Sequence, residues 1–428
     1  MQKIFYTLLY FALLAGNVYA QDCSNGRYIE PVFDRIKVTQ NIVYARKPQS
    51  NGQMIDLKYD VYEPYGDTLS ARPVMLLMHG GAYLKLIDES SPDLVRLCKY
   101  FAKRGYVALS IDYRQEPNVN SLKSEEKMVK AVSRALIDTK EAVDHFVNMY
   151  INGNPFRIDT SKAIIGGVSA GAVSSMFICF IDSIGQFSQQ YQQWIIEANG
   201  TSADSILRHK FDLIKPKIAI SISGALLDTN WIKPNGIDYL LVHGSEDEIV
   251  PYNYGHPLNL TNLPLLYGGK AQYPVMLRQG IYVEFEDWIG RGHVPFMNLT
   301  FPQVITDFFN EPILDSTERH IAQFCYRLMD CATTTTGIHN SVIKNVDIYP
   351  NPSSNNFTIQ LPQAAGARDW MVEIYDIMGK QVFQQNYLQA YNKIDIVHQL
   401  PPNTYILKLL NTHNDQLNLY NAKIIVAK

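Results

Sequence analysis

Ala163-Ile164-Ile165-Gly166-Gly167-Val168-Ser169-Ala170-Gly171-Ala172-Val173-Ser174-Ser175-Met176 reads as an apolar strand that turns through a single serine into a helix of small residues. So sharp a corner strains the serine backbone, and the positions two before and two after it must lack side chains that would collide. Gly167 and Gly171 meet that need. The corner lifts the Ser169 hydroxyl above the strand ends and aims the following N–H groups at whatever binds there. The pentapeptide alone is weak, because roughly 0.15 chance matches are expected in a chain this long. Its surroundings therefore decide the reading.

Upstream, Pro73-Val74-Met75-Leu76-Leu77-Met78 is a continuous apolar run, as expected of a buried parallel strand, and it ends in His79-Gly80-Gly81-Ala82-Tyr83. In an acyl-transfer reading the N–H of Gly81 or Ala82 joins that of Ala170 to bind the oxyanion of a tetrahedral intermediate. By itself His-Gly-Gly reads equally well as a strand-to-loop turn. A nucleophilic serine also needs a base, and the base an orienting carboxylate. Asp238 to Gly244 is a strand running into Ser245-Glu246-Asp247-Glu248-Ile249-Val250-Pro251, and Ile281 to Phe285 is another, followed by Gly290-Arg291-Gly292-His293-Val294-Pro295. The chain order Ser169, Asp247, His293 is the α/β-hydrolase order, unlike those of chymotrypsin and subtilisin.

On these four motifs, residues 40 to 312 resemble an α/β-hydrolase of the esterase and lipase group with a His-Gly-Gly oxyanion loop. The resemblance implies Ser169 as nucleophile, His293 as general base and Asp247 as its orienting acid. It also implies an oxyanion hole from Gly81, Ala82 and Ala170, supported by His79, Gly80, Gly167 and Gly171. Many relatives carry a third glycine where this chain has Ala82, so a methyl group here limits the bulk of substrates. Among the ten histidines, His256 is a competitor, but it lies nine residues after Asp247 and before the final strand, as a loop residue would. Glu246 and Glu248 flank Asp247 and read as solvated loop charges. His79 and His243, at strand ends, read as backbone braces, and Asp112 as a strand-end anchor.

The 428 residues suffice for a large domain plus a smaller one, and 46% hydrophobic content with a formal net charge of −3 describes an ordinary globule without electrostatic pull toward nucleic acid or anionic membrane. Lys3, the apolar stretch Ile4 to Ala15 and Val18-Tyr19-Ala20 read as an export signal over residues 1–20, too short for a membrane span. The expected plan is a catalytic domain over 21–331, a linker over 332–345 and a second domain over 346–428. Of five cysteines, Cys98 and Cys179 read as small core residues, and a bridge between two of Cys23, Cys325 and Cys331 fits an exported chain. No Cys-x-x-Cys or His-x-x-x-His spacing points to a metal, and no cofactor is expected.

Strands and helices alternate as in a mostly parallel sheet covered by helices, the α/β class. Strands are expected at Asn41 to Arg46, Ile55 to Tyr62, Val74 to Met78, Tyr106 to Tyr113, Ala163 to Gly167, Ile218 to Ser223 and Tyr239 to Val242. Helices are expected around Leu94 to Arg104, over Glu125 to Tyr150 and, to close the fold, over Thr300 to Phe309. The apolar stripe of the long helix, Met128 to Tyr150, reads as core. Two insertions, 185–212 and 252–279, read as a lid or acyl pocket, or equally as segments that only pack on the core; on the first reading Tyr83, Trp194 and Leu265 are candidate pocket residues.

Past Thr333 to Thr336 the pattern alternates in strand fashion, at Asp347-Ile348-Tyr349, Phe357-Thr358-Ile359, Val372 to Asp376, Tyr405 to Leu409 and Lys423 to Ala427, suggesting a small β-sandwich. Residues 346 to 428 resemble the C-terminal sorting domain of the type IX secretion system of Bacteroidota. This implies the secretion machinery as a partner and a secreted or cell-surface location. The expected activity is hydrolysis of a small or polymer-borne carboxylic ester through an acyl-enzyme at Ser169. The alternatives are exopeptidase-like amide hydrolysis with the same triad, or a silent binding protein.

Overall fold

The computed structural model describes residues 23–117, 119, 124–298, 308–329, 344–345, 347–361, 368–376, 381–390, 393–413 and 416–427. The chain divides into two compact units, Met1–Thr334 and Thr335–Lys428. The first holds an eight-stranded sheet of β1 (Ile36–Pro48), β2 (Met54–Pro64), β3 (Arg72–Met78), β4 (Val107–Ile111), β5 (Ile158–Val168), β6 (Ile218–Ile222), β7 (Asp238–Gly244) and β8 (Val283–Trp288). Their spatial order is β1-β2-β4-β3-β5-β6-β7-β8, with β2 alone running against the others. This is the α/β-hydrolase fold.

The central strands are buried along their whole length because helices cover both faces, which is why they read as unbroken apolar runs. Alternation divides their side chains between the two layers. Val74, Leu76 and Met78 join a core with α2 (Glu125–Ile151) and α3 (Ala170–Phe180), whereas Met75 and Leu77 pack with α1 (Pro92–Ala102) and α7 (Glu311–Tyr326). The register brings Met78 opposite Gly167, Val168 opposite Ile222 and Ile222 opposite Val242, so the strand ends form a level rim. Loops at such a carboxyl-end rim are where an open α/β sheet places its chemistry.

Most of the expected closing helix, residues 300–307, lies outside the described residues; Phe309, its expected last residue, forms a β-bridge with Met297. The helix that closes the fold is α7, capped by the Asn310 side chain, which accepts from Ile313 N, with a proline in its first turn. The 185–212 insertion folds as α4 (Gln189–Asn199) and α5 (Ala203–Arg208). The 252–279 insertion gives Tyr254–Gly255 and Leu266–Gly268, which pair with each other, the second also with Ala225–Leu226, and then α6 (Gly269–Arg278). Cys23 is disulfide-bonded, whereas Cys98, Cys179 and Cys325 are free and buried; Cys331 lies outside the described residues, as do residues 1–20. Among the described residues no helix is long and apolar enough to cross a membrane.

The second unit holds a five-stranded and a three-stranded sheet around one core containing Phe357, Ile359, Trp370, Val372 and Leu407. Lys344 and Asn345, expected in the linker, pair with Tyr420 and Asn421 and so belong to this β-sandwich. Residues 332–343 of the expected linker, Thr333 to Thr336 among them, lie outside the described residues.

Candidate active site

Ser169 sits between β5 and α3 with φ 54° and ψ −118°, a conformation an L-residue adopts only under constraint. A Cβ on Gly167 would lie 2.5 Å from the Gly171 carbonyl carbon, and one on Gly171 would lie 2.1 Å from Met78 O. Both glycines are therefore steric requirements of the corner. Gly80 has a related role: its Cβ would meet Ser169 Cβ at 3.2 Å, so the His-Gly-Gly loop lies directly against the serine.

The His293 imidazole joins the two remaining groups. Its Nε2 lies 2.8 Å from Ser169 Oγ and its Nδ1 2.8 Å from Asp247 Oδ2. Asp247 Oδ1 accepts from the backbone N–H groups of Ile249 and Val250, each at 2.9 Å. Oδ2 has a second partner, His243 Nε2, at 3.0 Å. Gly269 N donates to His243 Nδ1 at 3.3 Å, which leaves the His243 proton on Nε2, pointing at the carboxylate. Burial pushes the Asp247 carboxyl upward, but donation from His243 and His293 outweighs it and holds the group well below the usual carboxylate range. Asp247 is thus a fixed negative charge. The chain carrying His293 is anchored by the next residue, whose N–H donates to Ser223 Oγ at 3.0 Å.

Gly81, Ala82 and Tyr83 all have positive φ, 99°, 53° and 59°, so the loop curls in the left-handed region beside the serine. Among the described residues no protein acceptor takes the N–H groups of Gly81, Ala82 or Ala170. Tyr83 OH donates to Ala170 O at 2.8 Å, linking this loop to the start of α3. His79 is fully buried, stacked on Tyr113 and set between Gly80 O at 2.8 Å and Asp112 Oδ1 at 3.1 Å. His256 lies apart, its Nδ1 2.6 Å from Leu263 O. Among the described residues no group of three His, Cys, Asp or Glu side chains could hold a metal.

A cleft of about 1000 Å3, its solvent-filled mouth included, opens beside Ser169. Tyr83 lines it; Trp194 and Leu265 do not. The helical phase of α4 turns Tyr191 and Ile195 to the cleft while Trp194 stacks on Tyr191, and in the second insertion Leu266 lines the wall while its neighbour Leu265 is partly exposed. The stripe of α2 also divides: Met128, Val132 and Leu136 border the cleft, whereas Val143 and Val147 are core. Reading the whole stripe as core therefore missed one wall. The contribution of His243 was missed too, since its signal, a histidine before Gly244, does not show where its ring points.

Residues 59–207 match the BD-FAE family, esterase-like α/β-hydrolases, and residues 347–427 match the secretion system C-terminal sorting domain. Among solved structures, Thermogutta terrifontis esterase 2 phosphorylated by paraoxon is similar at 16% identity and TM-score 0.44, covering 68% of this chain and 94% of that one. Esterase B from Lactobacillus rhamnosis, inhibited by a tributyrin phosphonate, is 13% identical with TM-score 0.42, over 70% and 87%. Two curated proteins share short stretches. A non-reducing polyketide synthase of Acremonium egyptiacum is 31% identical over 125 residues, 28% of this chain, and an ulvan lyase of Nonlabens ulvanivorans is 30% identical over 94 residues, 22% of this chain. The matches span 5% and 16% of those proteins' own lengths. The chain thus carries an esterase-like match over residues 59–207 and, over residues 347–427, a sorting tail of the kind that marks secreted or cell-surface proteins.

Proposed function

We propose that the chain hydrolyses carboxylic esters through an acyl-enzyme on Ser169. The observation that supports this reading best is the His293 ring, with one nitrogen 2.8 Å from the Ser169 hydroxyl and the other 2.8 Å from a buried carboxylate. In the proposed cycle His293 Nε2 takes the Ser169 proton as Oγ attacks the carbonyl carbon, then gives it to the departing alcohol oxygen. Asp247 holds the ring in the tautomer with the proton on Nδ1 and stabilises its cation. The amides of Gly81 or Ala82 and of Ala170 receive the oxyanion, each donor contributing about 3 kcal/mol in the transition state. Water, deprotonated by His293, then releases the acid. Residues 1–20 as a removable leader, and passage through type IX machinery by way of residues 346–428, complete the proposal.

Ser169→Ala tests it. The variant should fold with an unchanged thermal midpoint, lose ester turnover by at least 1000-fold and refuse a fluorophosphonate that labels the wild type. Full turnover by Ser169→Ala would defeat the mechanism. A parallel assay on aminoacyl amides separates ester from exopeptidase-like hydrolysis.

A further inference from the structure

The borders of the cleft decide which half of an ester it receives. Ser169, Ala170 and Ala82 line it and His293 does not. The leaving oxygen must lie where His293 Nε2 can protonate it, so the alcohol half belongs on the histidine side and the acyl half in the cleft. This rests on the acyl-enzyme reading proposed above. The chemistry of the wall narrows the acyl group further. Among the described residues no Lys, Arg, His, Asp or Glu lines the cleft, so none of them offsets the desolvation of a charged acyl group.

Among the described residues, the polar side chains on the wall apart from Ser169 are Tyr83, Ser133 and Tyr191, and each is already engaged. Tyr83 OH donates to Ala170 O and lies 3.1 Å from Ser174 Oγ. Ser133 Oγ donates to Lys130 O at 2.9 Å and accepts from Asn199 Nδ2 at 2.9 Å. Tyr191 OH donates to the Glu125 carboxylate. The rest is aliphatic or aromatic carbon, with Met128 and Val132 on one side, Ile195 and Phe187 on another, and Leu258 and Leu266 on the third. An acetyl group would leave most of this surface uncovered, and a hydroxylated acyl group would bury a hydroxyl without a free side-chain partner.

We infer that the site selects unsubstituted saturated acyl chains, well beyond acetyl in length, over hydroxylated aromatic and charged acyl groups. Each methylene buried in the cleft raises kcat/KM by about fourfold until the wall is covered, and an unpartnered hydroxyl lowers it about tenfold.

The test is hydrolysis by the full chain of 4-nitrophenyl acetate, butanoate, octanoate, 8-hydroxyoctanoate and 3-(4-hydroxyphenyl)propanoate, which share one leaving group. kcat/KM should rise at least tenfold from acetate to octanoate and fall at least fivefold from octanoate to either hydroxylated ester. Equal or faster hydrolysis of acetate or of a hydroxylated ester overturns the inference. Fluorophosphonate labelling of the same preparation keeps the two failures apart: a labelled enzyme that prefers acetyl or hydroxylated esters sinks the acyl selection and leaves the Ser169 reading standing, whereas neither labelling nor turnover sinks both. Ile195→Phe, which fills part of the cleft, should reduce octanoate more than acetate. An equal fall in both would show that the cleft does not hold the acyl chain, and if this variant does not fold the wild-type series still decides.

Discussion

Replacing Gly171 with alanine puts a methyl carbon into backbone. The new Cβ would lie 2.1 Å from Met78 O, 2.5 Å from Met78 C and 2.6 Å from His79 O, whereas ordinary contacts begin near 3.4 Å. No rotamer relieves the clash, because the opposing atoms are the end of β3 and the start of the His79-to-Tyr83 loop. Either that strand end or the start of α3 must retreat by more than 1 Å. In the second case Ser169 Oγ leaves His293 Nε2, now 2.8 Å away; in the first the loop amides move off the position proposed above for the oxyanion. A misplacement of about 1 Å costs on the order of 100-fold in rate. Alanine is the better helix former by about 1 kcal/mol, while overpacking costs about 1–3 kcal/mol, so the variant should lose a modest amount of stability and at least 100-fold in kcat/KM. Steady-state ester kinetics with a thermal melt measure both, and Gly255→Ala is the control, since its Cβ would meet only Pro251 carbons at 3.6 Å. Wild-type kcat/KM in Gly171→Ala would refute the packing of the elbow against the strand end.

Two further outcomes are expected. His243→Phe removes one of the two side-chain donors to Asp247 Oδ2, leaving more of the carboxylate's charge to His293; kcat/KM should fall about tenfold and the acid limb of its pH profile should move upward, with His243→Gln partly restoring both. A fall in rate with an unmoved acid limb would reduce His243 to a packing residue. His320 on α7 lies 2.9 Å from Glu286 and 2.8 Å from Glu284 on β8, and these carboxylates, outweighing burial, push its pKa up to about 9. Because the folded value exceeds the unfolded one of about 6.5, the stabilisation is complete below that pH and disappears as pH rises through about 9. Melts of wild type and His320→Gln should differ by on the order of 2 kcal/mol at pH 6 and converge by pH 10; a constant gap would contradict the assignment.

The centre of the sheet was legible because burial on both faces leaves the sequence no alternation to disguise: Pro73 to Met78 and Ala163 to Val168 are apolar throughout. The corner was legible because its steric demand falls on two fixed positions, Gly167 and Gly171, and the distant partners because chain order and strand ends restrict where an acid and a base can stand. What stayed hidden depends on space between elements. A 3.6-residue stripe on α2 shows which side faces inward but not whether side chains or an empty cleft lie opposite, so Met128 and Val143 look alike in sequence. Trp194 and Ile195 differ by about 100° around α4, and sequence offers no absolute phase to choose the one facing the serine. The tautomer of His243 depends on the amide of Gly269, on an inserted helix 26 residues away.

These two kinds of legibility match a division of labour in the fold. Ser169 is held by backbone from β3 and β5, Asp247 by the turn after β7, and His293 through its neighbour Val294, whose N–H donates to Ser223 just past the end of β6. Their geometry therefore belongs to a sheet whose register fixes neighbouring strand ends to one another. The cleft walls come largely from α2, α4, α5 and the segment around Leu258 to Leu266, which lie over the rim and carry few constraints from strand pairing. Substitutions there can reshape the space offered to substrate while leaving the 2.8 Å contacts beneath it intact. Residues that bind reacting atoms are consequently the ones that simple steric and order rules can find, and residues that choose the substrate are those whose meaning depends on what the folded chain leaves empty.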